Sequence, residues 1–165
     1  AGFGGEIGHL NVVPGGRPCG CGLRGCLERY SAGTALGINA WELAQFRPDY
    51  AARIIELSGG NPEHISGKAV TAAAREGDPA ALECYEQLTH WLGVGLADMC
   101  ALLDPEVIVI AGGLAEAGDI LLAPTRKAFA ENLTAGTHRP AIPVVLAEGG
   151  QEAGLIGAAD LARQP

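Results

Sequence analysis

Apolar residues recur at helical spacing through the middle of this chain. Leu82, Tyr85, Leu88, Leu92, Leu96, Met99 and Leu103 follow at steps of three or four, which predicts one long helix ending near Leu103. Asp78-Pro79 supplies its start, with Asp as the cap and Pro at the first helical position. Gly93 and Gly95 interrupt that helix and are expected to let a neighbouring element approach closely. Cys84 and Cys100 fall on it and read as core cysteines. A helix is expected from about Ser31 to Phe46, carrying Leu36, Trp41, Leu43 and Phe46, and stopping at Arg47-Pro48. Residues 49–65 read as a short helix followed by a Gly-Asn-Pro loop, and 66–75 as an Ala-rich helix.

The pattern then changes period. Val107-Ile108-Val109-Ile110 is a continuous apolar run, as in a buried strand, and it follows the Asp104-Pro105 turn. Gly112-Gly113 breaks the chain before a further helical stretch. A helix over about 120–133, a strand over 142–146 and a helix over about 151–162 complete the series. At the other end, 9–13 reads as a short strand closed by Pro14-Gly15-Gly16. Strands alternating with helices predict an α/β fold. No internal repeat or low-complexity linker interrupts it.

Composition narrows the function classes. With 165 residues, 48% of them hydrophobic and only 18% charged, the chain can bury a core as one domain. A formal charge of −8 and only two lysines argue against a phosphate-binding nucleic-acid surface. No run approaches the roughly 18 apolar residues of a membrane span. Unpaired cysteines point to a reducing compartment, and the cytoplasm is the expected location.

The candidate chemistry lies between Glu6 and Glu28, in the pattern E-x2-H-x9-C-x-C-x4-C-x-E. His9, Cys19, Cys21 and Cys26 together make a Cys3His donor set, the composition of a closed structural zinc site. Gly20, Gly22 and Gly25 give the backbone freedom that lets sulfurs converge. A disulfide or redox couple is the competing reading, but Cys19 and Cys21 are poorly spaced for a bridge and no C-x-x-C occurs. His64 and His138 sit in loops far along the chain and His90 on a helix, so His9 is the favoured imidazole. If one His9 nitrogen binds metal, the other carries the proton and can only donate. Glu6 and Glu28 are not needed to complete the metal shell. They could accept from the hydroxyls of a polyhydroxylated ligand, or equally be solvated surface acids.

The segments GEIGH and CGCGLRGCLE resemble the signature of the ROK family of bacterial sugar kinases, related proteins and sugar-responsive repressors. LDPEVIVIAGGLAEAGD resembles that family's strand-turn-helix near the adenine, and QEAGLIGAADLA its C-terminal helix. The resemblance implies an actin-like, ribonuclease H-like ATPase domain, incomplete at its N-terminus and forming the C-terminal part of a two-domain sugar kinase. Residues 1–30 would then be the zinc and sugar motif, 31–104 a helical section, and 105–165 a strand and helix section near the nucleotide.

The resemblance also assigns roles. Zinc would be held by His9, Cys19, Cys21 and Cys26; hexose would be contacted by Glu6, His9 and Glu28; and ATP, arriving with Mg2+, would pass close to Gly112 and Gly113. The D-x-G-G-T phosphate motif and the Asp base of such kinases do not occur here, so no catalytic residue is expected in this segment. The favoured activity is that of an ATP-dependent glucokinase, in a homo-oligomer (dimer or tetramer). The alternatives are the sugar-sensing domain of a ROK repressor, a kinase for another hexose or amino sugar, or a zinc-stabilised module without catalysis.

Overall fold

The computed structural model describes residues 2, 4–148 and 152–163. Its elements are α1 (Gly33–Phe46), α2 (Ala52–Leu57), α3 (Gly67–Arg75), α4 (Pro79–Leu103), β1 (Ile108–Ile110), α5 (Asp119–Asn132), β2 (Val144–Leu146) and α6 (Ala153–Leu161). Short 3-10 turns cover Ile7–His9, Leu27–Arg29, Pro62–His64 and Gly113–Ala117. The caps follow the sequence chemistry. The Asp78 carboxylate accepts from the Ala81 N–H at 2.8 Å, and the Ser66 hydroxyl accepts from the Ala69 N–H. Each satisfies a helix-start donor that no carbonyl can reach. The end of α4 turns at Asp104, which is left-handed at φ 42.

Helix α4 is the spine. Its first half packs Cys84, Tyr85 and Leu88 against Leu36 and Ala40 of α1, Ile54 of α2 and Val70 and Ala73 of α3. Its second half packs Leu96, Ala97 and Cys100 against Leu122 and Phe129 of α5 and Val144 of β2. The buried Tyr85 hydroxyl is satisfied by Thr71 Oγ1 at 2.8 Å. A Cβ on Gly93 would lie 2.5 Å from the Ala128 Cβ, so only glycine permits this approach of α4 to α5. The expected close packing at Gly93 and Gly95 is therefore present, and Cys84 and Cys100 are core residues, each 1% exposed.

Strands β1 and β2 pair in parallel, Ile108 with Val144 and Ile110 with Leu146, with α5 as the crossover between them. Arg126 of α5 donates to the Val144 carbonyl at 2.8 Å and pins the second strand. The apolar run was expected to be a buried strand, but Val109 is 56% exposed. Helices cover one face of this small sheet, and Val109 alternates onto the other.

The strand expected over 9–13 does not form. Ile7–His9 is a 3-10 turn, and only Asn11 makes a bridge, antiparallel to Cys26. The N–H groups of Val12 and Val13 both donate to the one carbonyl of Gly25 (2.9 and 3.1 Å), which ends any ladder. β-branched propensity at Val12 and Val13 yields here because the partner segment curls into the cysteine loop instead of running on as a strand. The last helix begins at Ala153, and the Gln151 start expected for it lies outside the described residues. Among the described residues no helix is long and apolar enough to cross a membrane.

Candidate metal and substrate site

Two short 3-10 turns carry the acidic residues, and a tight loop between them carries the sulfurs. Glu6 precedes the turn that holds His9, and Glu28 lies in the Leu27–Arg29 turn. The turns are tied by the Leu27 N–H donating to the Leu10 carbonyl at 2.8 Å. Within the loop, the Cys19 N–H donates to the Leu23 carbonyl (2.9 Å) and the Gly22 N–H to the Cys19 carbonyl (3.1 Å), which folds Cys19 and Cys21 onto one side. Gly25, at φ 85, closes it. A Cβ there would fall 1.8 Å from the Val13 carbonyl oxygen, so the position demands glycine on both counts.

The four candidate ligands converge. His9, Cys19, Cys21 and Cys26 offer ligand atoms that all lie within 4.8 Å of one another. Among the described residues they are the one His/Cys/Asp/Glu group with this convergence. His9 Nδ1 faces Cys19 Sγ at 3.6 Å, and the Cys21 and Cys26 sulfurs are 3.6 Å apart, too far for a disulfide. Three thiols and one imidazole in this space suit a soft, tetrahedral ion.

The acids sit beside that cluster. Glu28 Oε1 accepts from the Cys19 thiol at 2.9 Å, and this carboxylate pushes the Cys19 thiol up to about 12. His9 turns Nδ1 to the sulfurs and Nε2 toward Glu6 Oε2, 3.8 Å away. The nitrogen that does not face sulfur is thus directed at the acid. Glu6, His9 and Glu28, named from sequence, are brought together with all four candidate ligands.

Gly112 and Gly113 are not part of this cluster. They follow β1, and Gly113 with Ala111 borders a groove of about 1430 Å³ between α1, α3 and the Gly113–Ala117 turn, while Gly112 lies between them without lining it. Gly112 adopts φ 86 and ψ −172, a conformation open essentially to glycine alone. Gly113 and Ala111 line the groove on one side, and Trp41, Glu63 and Lys68 on the other. The Trp41 indole N–H donates to Glu63 Oε1 at 3.2 Å. The far wall starts at Ser31, three residues beyond Glu28, so the Glu28 turn runs directly into the groove.

Sequence reasoning missed Trp41 as a groove wall, because its spacing placed it among apolar core positions. It also missed Arg17. That guanidinium donates to the Arg29 carbonyl (3.0 Å), Asn39 Oδ1 (2.8 Å) and Glu42 Oε2 (2.6 Å). Nothing local in GGRPCG marks the arginine, since its partners on α1 are more than twenty residues away.

The ROK family model matches residues 1–165. The glucokinase of Streptomyces coelicolor is 44% identical over 160 residues, which cover 97% of this chain and 50% of that protein. The crystal structure of a ROK family glucokinase from Streptomyces griseus, in complex with glucose and AMPPNP, superposes with a TM-score of 0.91 at 44% identity, covering 97% of this chain and 51% of that one. A ROK family transcriptional regulator, a homologue of the E. coli MLC protein, matches with a TM-score of 0.66 at 31% identity over 93% of this chain and 37% of its own. The chain spans about half the length of the curated glucokinases it matches. Its helices and small parallel sheet are those of a portion of the actin-like sugar-kinase fold, and over its whole length the chain belongs to the ROK family.

Proposed function

We propose that this chain is the C-terminal part of an ATP-dependent glucokinase that transfers the γ-phosphate of ATP to the 6-hydroxyl of glucose. One observation carries the reading. Glu6 and Glu28 flank the four-ligand cluster that contains His9, and the Glu28 turn is followed at Ser31 by a groove that Ala111 and Gly113 also line. Phosphoryl transfer needs two substrates held in line, and two adjoining sites on one scaffold meet that need. The likeness over the whole chain to a glucokinase crystallised with glucose and AMPPNP supports the same choice.

In this reading His9, Cys19, Cys21 and Cys26 hold a zinc ion. Four protein ligands leave no open position, so the ion orders the loop and takes no part in the chemistry. Glu6 and Glu28 accept from sugar hydroxyls, and the His9 Nε2–H donates to a sugar oxygen. ATP lies in the groove with Mg2+, which binds chiefly to its phosphates. This chain orients the hexose and the nucleotide, while the base and the phosphate-cradling loop belong to another part of the protein. The intact enzyme is a cytoplasmic homo-oligomer, and residues 1–165 form one domain in three sections: the sugar motif, the helical section and the nucleotide section.

A second reading, a sugar sensor in a repressor, is favoured by the likeness to the ROK transcriptional regulator. A kinase for another hexose or an amino sugar would use the same trio. The deciding experiment measures phosphorylation of a sugar panel by the intact protein with ATP, alongside its zinc content. Glucose-selective turnover with about one zinc per chain is expected. Sugar binding without turnover would overturn the kinase in favour of the sensor.

A further inference from the structure

We propose that Arg17 is a positioning residue that holds the Glu28 turn in register with His9, an inference that rests on the hexose reading above. Arg17 belongs to two structures at once. Its backbone lies in the cysteine loop, where its carbonyl accepts from the Gly25 N–H (2.9 Å) and its N–H donates to the Tyr30 hydroxyl (2.6 Å). Its side chain leaves the loop and reaches the Glu28 turn, donating to the carbonyl of Arg29, the residue next to Glu28. The same guanidinium lies over the Tyr30 ring, 5.1 Å from its centroid.

The remaining donors anchor this junction to the body of the protein. Asn39 Oδ1 and Glu42 Oε2 of α1 both accept from Arg17. Asn39 is 5% exposed and passes the link on through Nδ2 to the Cys84 carbonyl of α4. The Arg17 side chain is 19% exposed but the Glu42 side chain is 46% exposed, so the ion pair is solvent-screened and the buried Asn39 link is the stronger part of the anchor. Two terminal nitrogens of one planar guanidinium, fixed relative to each other, serve a carbonyl, an amide oxygen and a carboxylate together. An ammonium at the end of a flexible stem reproduces the charge but not that geometry. Without the fork, the Glu28 turn keeps its own short hydrogen bonds and the seat of Leu27 on α4 but loses the side-chain link through Arg17 to Asn39 and Glu42 of α1. A carboxylate displaced by about 1 Å is enough to weaken hexose binding and alignment by a large factor.

The test compares Arg17→Lys and Glu42→Gln with the wild type in the intact protein. KM for glucose and for ATP, kcat, zinc content and amide hydrogen exchange are measured on each. The expected result for Arg17→Lys is a rise in the glucose KM of roughly ten- to a hundredfold, with the ATP KM within about twofold of wild type and zinc retained. Exchange should quicken at the amides of Leu27, Arg29, Tyr30 and Ser31 while α5 exchanges as before. Glu42→Gln should shift the same quantities in the same direction by less. An unchanged glucose KM with unchanged exchange overturns the proposal. Loss of zinc with both KM values rising together also overturns it, because Arg17 would then be a general brace. A wild-type protein that turns over no hexose overturns the functional reading and the sugar role of Arg17 with it, while the exchange data still decide whether Arg17 holds the turn.

Discussion

Gly95 of α4 and Leu27 of the Glu28 turn occupy one space: a Cβ built on Gly95 would lie 2.6 Å from Leu27 Cδ2. Leu27 is 5% exposed, and its seat against α4 sets the height of the turn whose next residue is Glu28. The spine helix thus carries the candidate sugar carboxylate on its back. Gly95→Ala is expected to push Leu27 outward and destabilise the protein by about 1–3 kcal/mol, the usual range for overpacking. Thermal or urea unfolding reads the stability, and a raised glucose KM reads the displaced turn. Wild-type values for both would mean that the turn is seated by other contacts.

Glu28→Gln separates sugar binding from metal binding. The side chain is outside the four-ligand set, so zinc content should stay at the wild-type level. A hydrogen bond to a charged group contributes about 1.5–3 kcal/mol, so hexose affinity should fall roughly ten- to a hundredfold. Calorimetric titration with glucose and metal analysis of the same sample decide the matter. Zinc lost along with the sugar would make Glu28 a ligand.

Cys21→Ala is the cleanest way to remove the metal. Cys21 is exposed, whereas Cys26 is fully buried, so truncating Cys21 leaves no core cavity. Zinc retention and hexose affinity are expected to fall together, because the loop that orders His9 and the Glu28 turn loses its centre. Intact hexose affinity in a zinc-free protein would contradict the ordering role.

Metal loading should also depend on pH. The Cys19 thiol, raised to about 12 by the Glu28 carboxylate, holds its proton at neutral pH unless a metal displaces it. Binding must expel that proton, so zinc affinity rises with pH and falls as the solution is acidified. Competition with a chromogenic chelator between pH 6 and 8 measures the slope, and a flat profile would count against thiolate ligation at Cys19.

Gly112→Ala addresses the groove. No atom lies within 4 Å of the added Cβ, so the cost is backbone strain alone, of order 1–3 kcal/mol if φ is held at 86. The chain is expected to relax toward negative φ and shift Gly113 into the groove, raising the ATP KM with little change in the glucose KM. Trp41 supplies an independent reading. As one of two tryptophans, and the one that lines the groove, it should change its fluorescence on ATP addition. No change with Trp41 and a normal ATP KM in Gly112→Ala would move the nucleotide elsewhere.

Local signals carried much of this protein. Asp78-Pro79 marks the start of α4 because capping is settled within four consecutive residues, Asp78 to Ala81, and the structure puts the cap there. The cysteine cluster was readable for the same reason, since its ligands lie close in sequence and its glycines supply the sharp turns. The role of Gly95 was readable only as an expectation of close packing, and which side chain fills the space was not.

The sequence by itself determined the helix series, the family resemblance and the identity of the four candidate ligands, because each rests on residues within a few turns of one another. Only the tertiary structure decided that residues 9–13 are not a strand, that Val109 faces away from the core, and that Arg17 reaches Asn39 and Glu42. Strand pairing depends on what the partner segment does, and that segment is bent by the cysteine loop. Burial depends on which face of a sheet the helices cover. Arg17 meets its acceptors across twenty-two and twenty-five positions of chain, a separation at which no periodicity survives and only the packing of α1 against the loop brings the groups together.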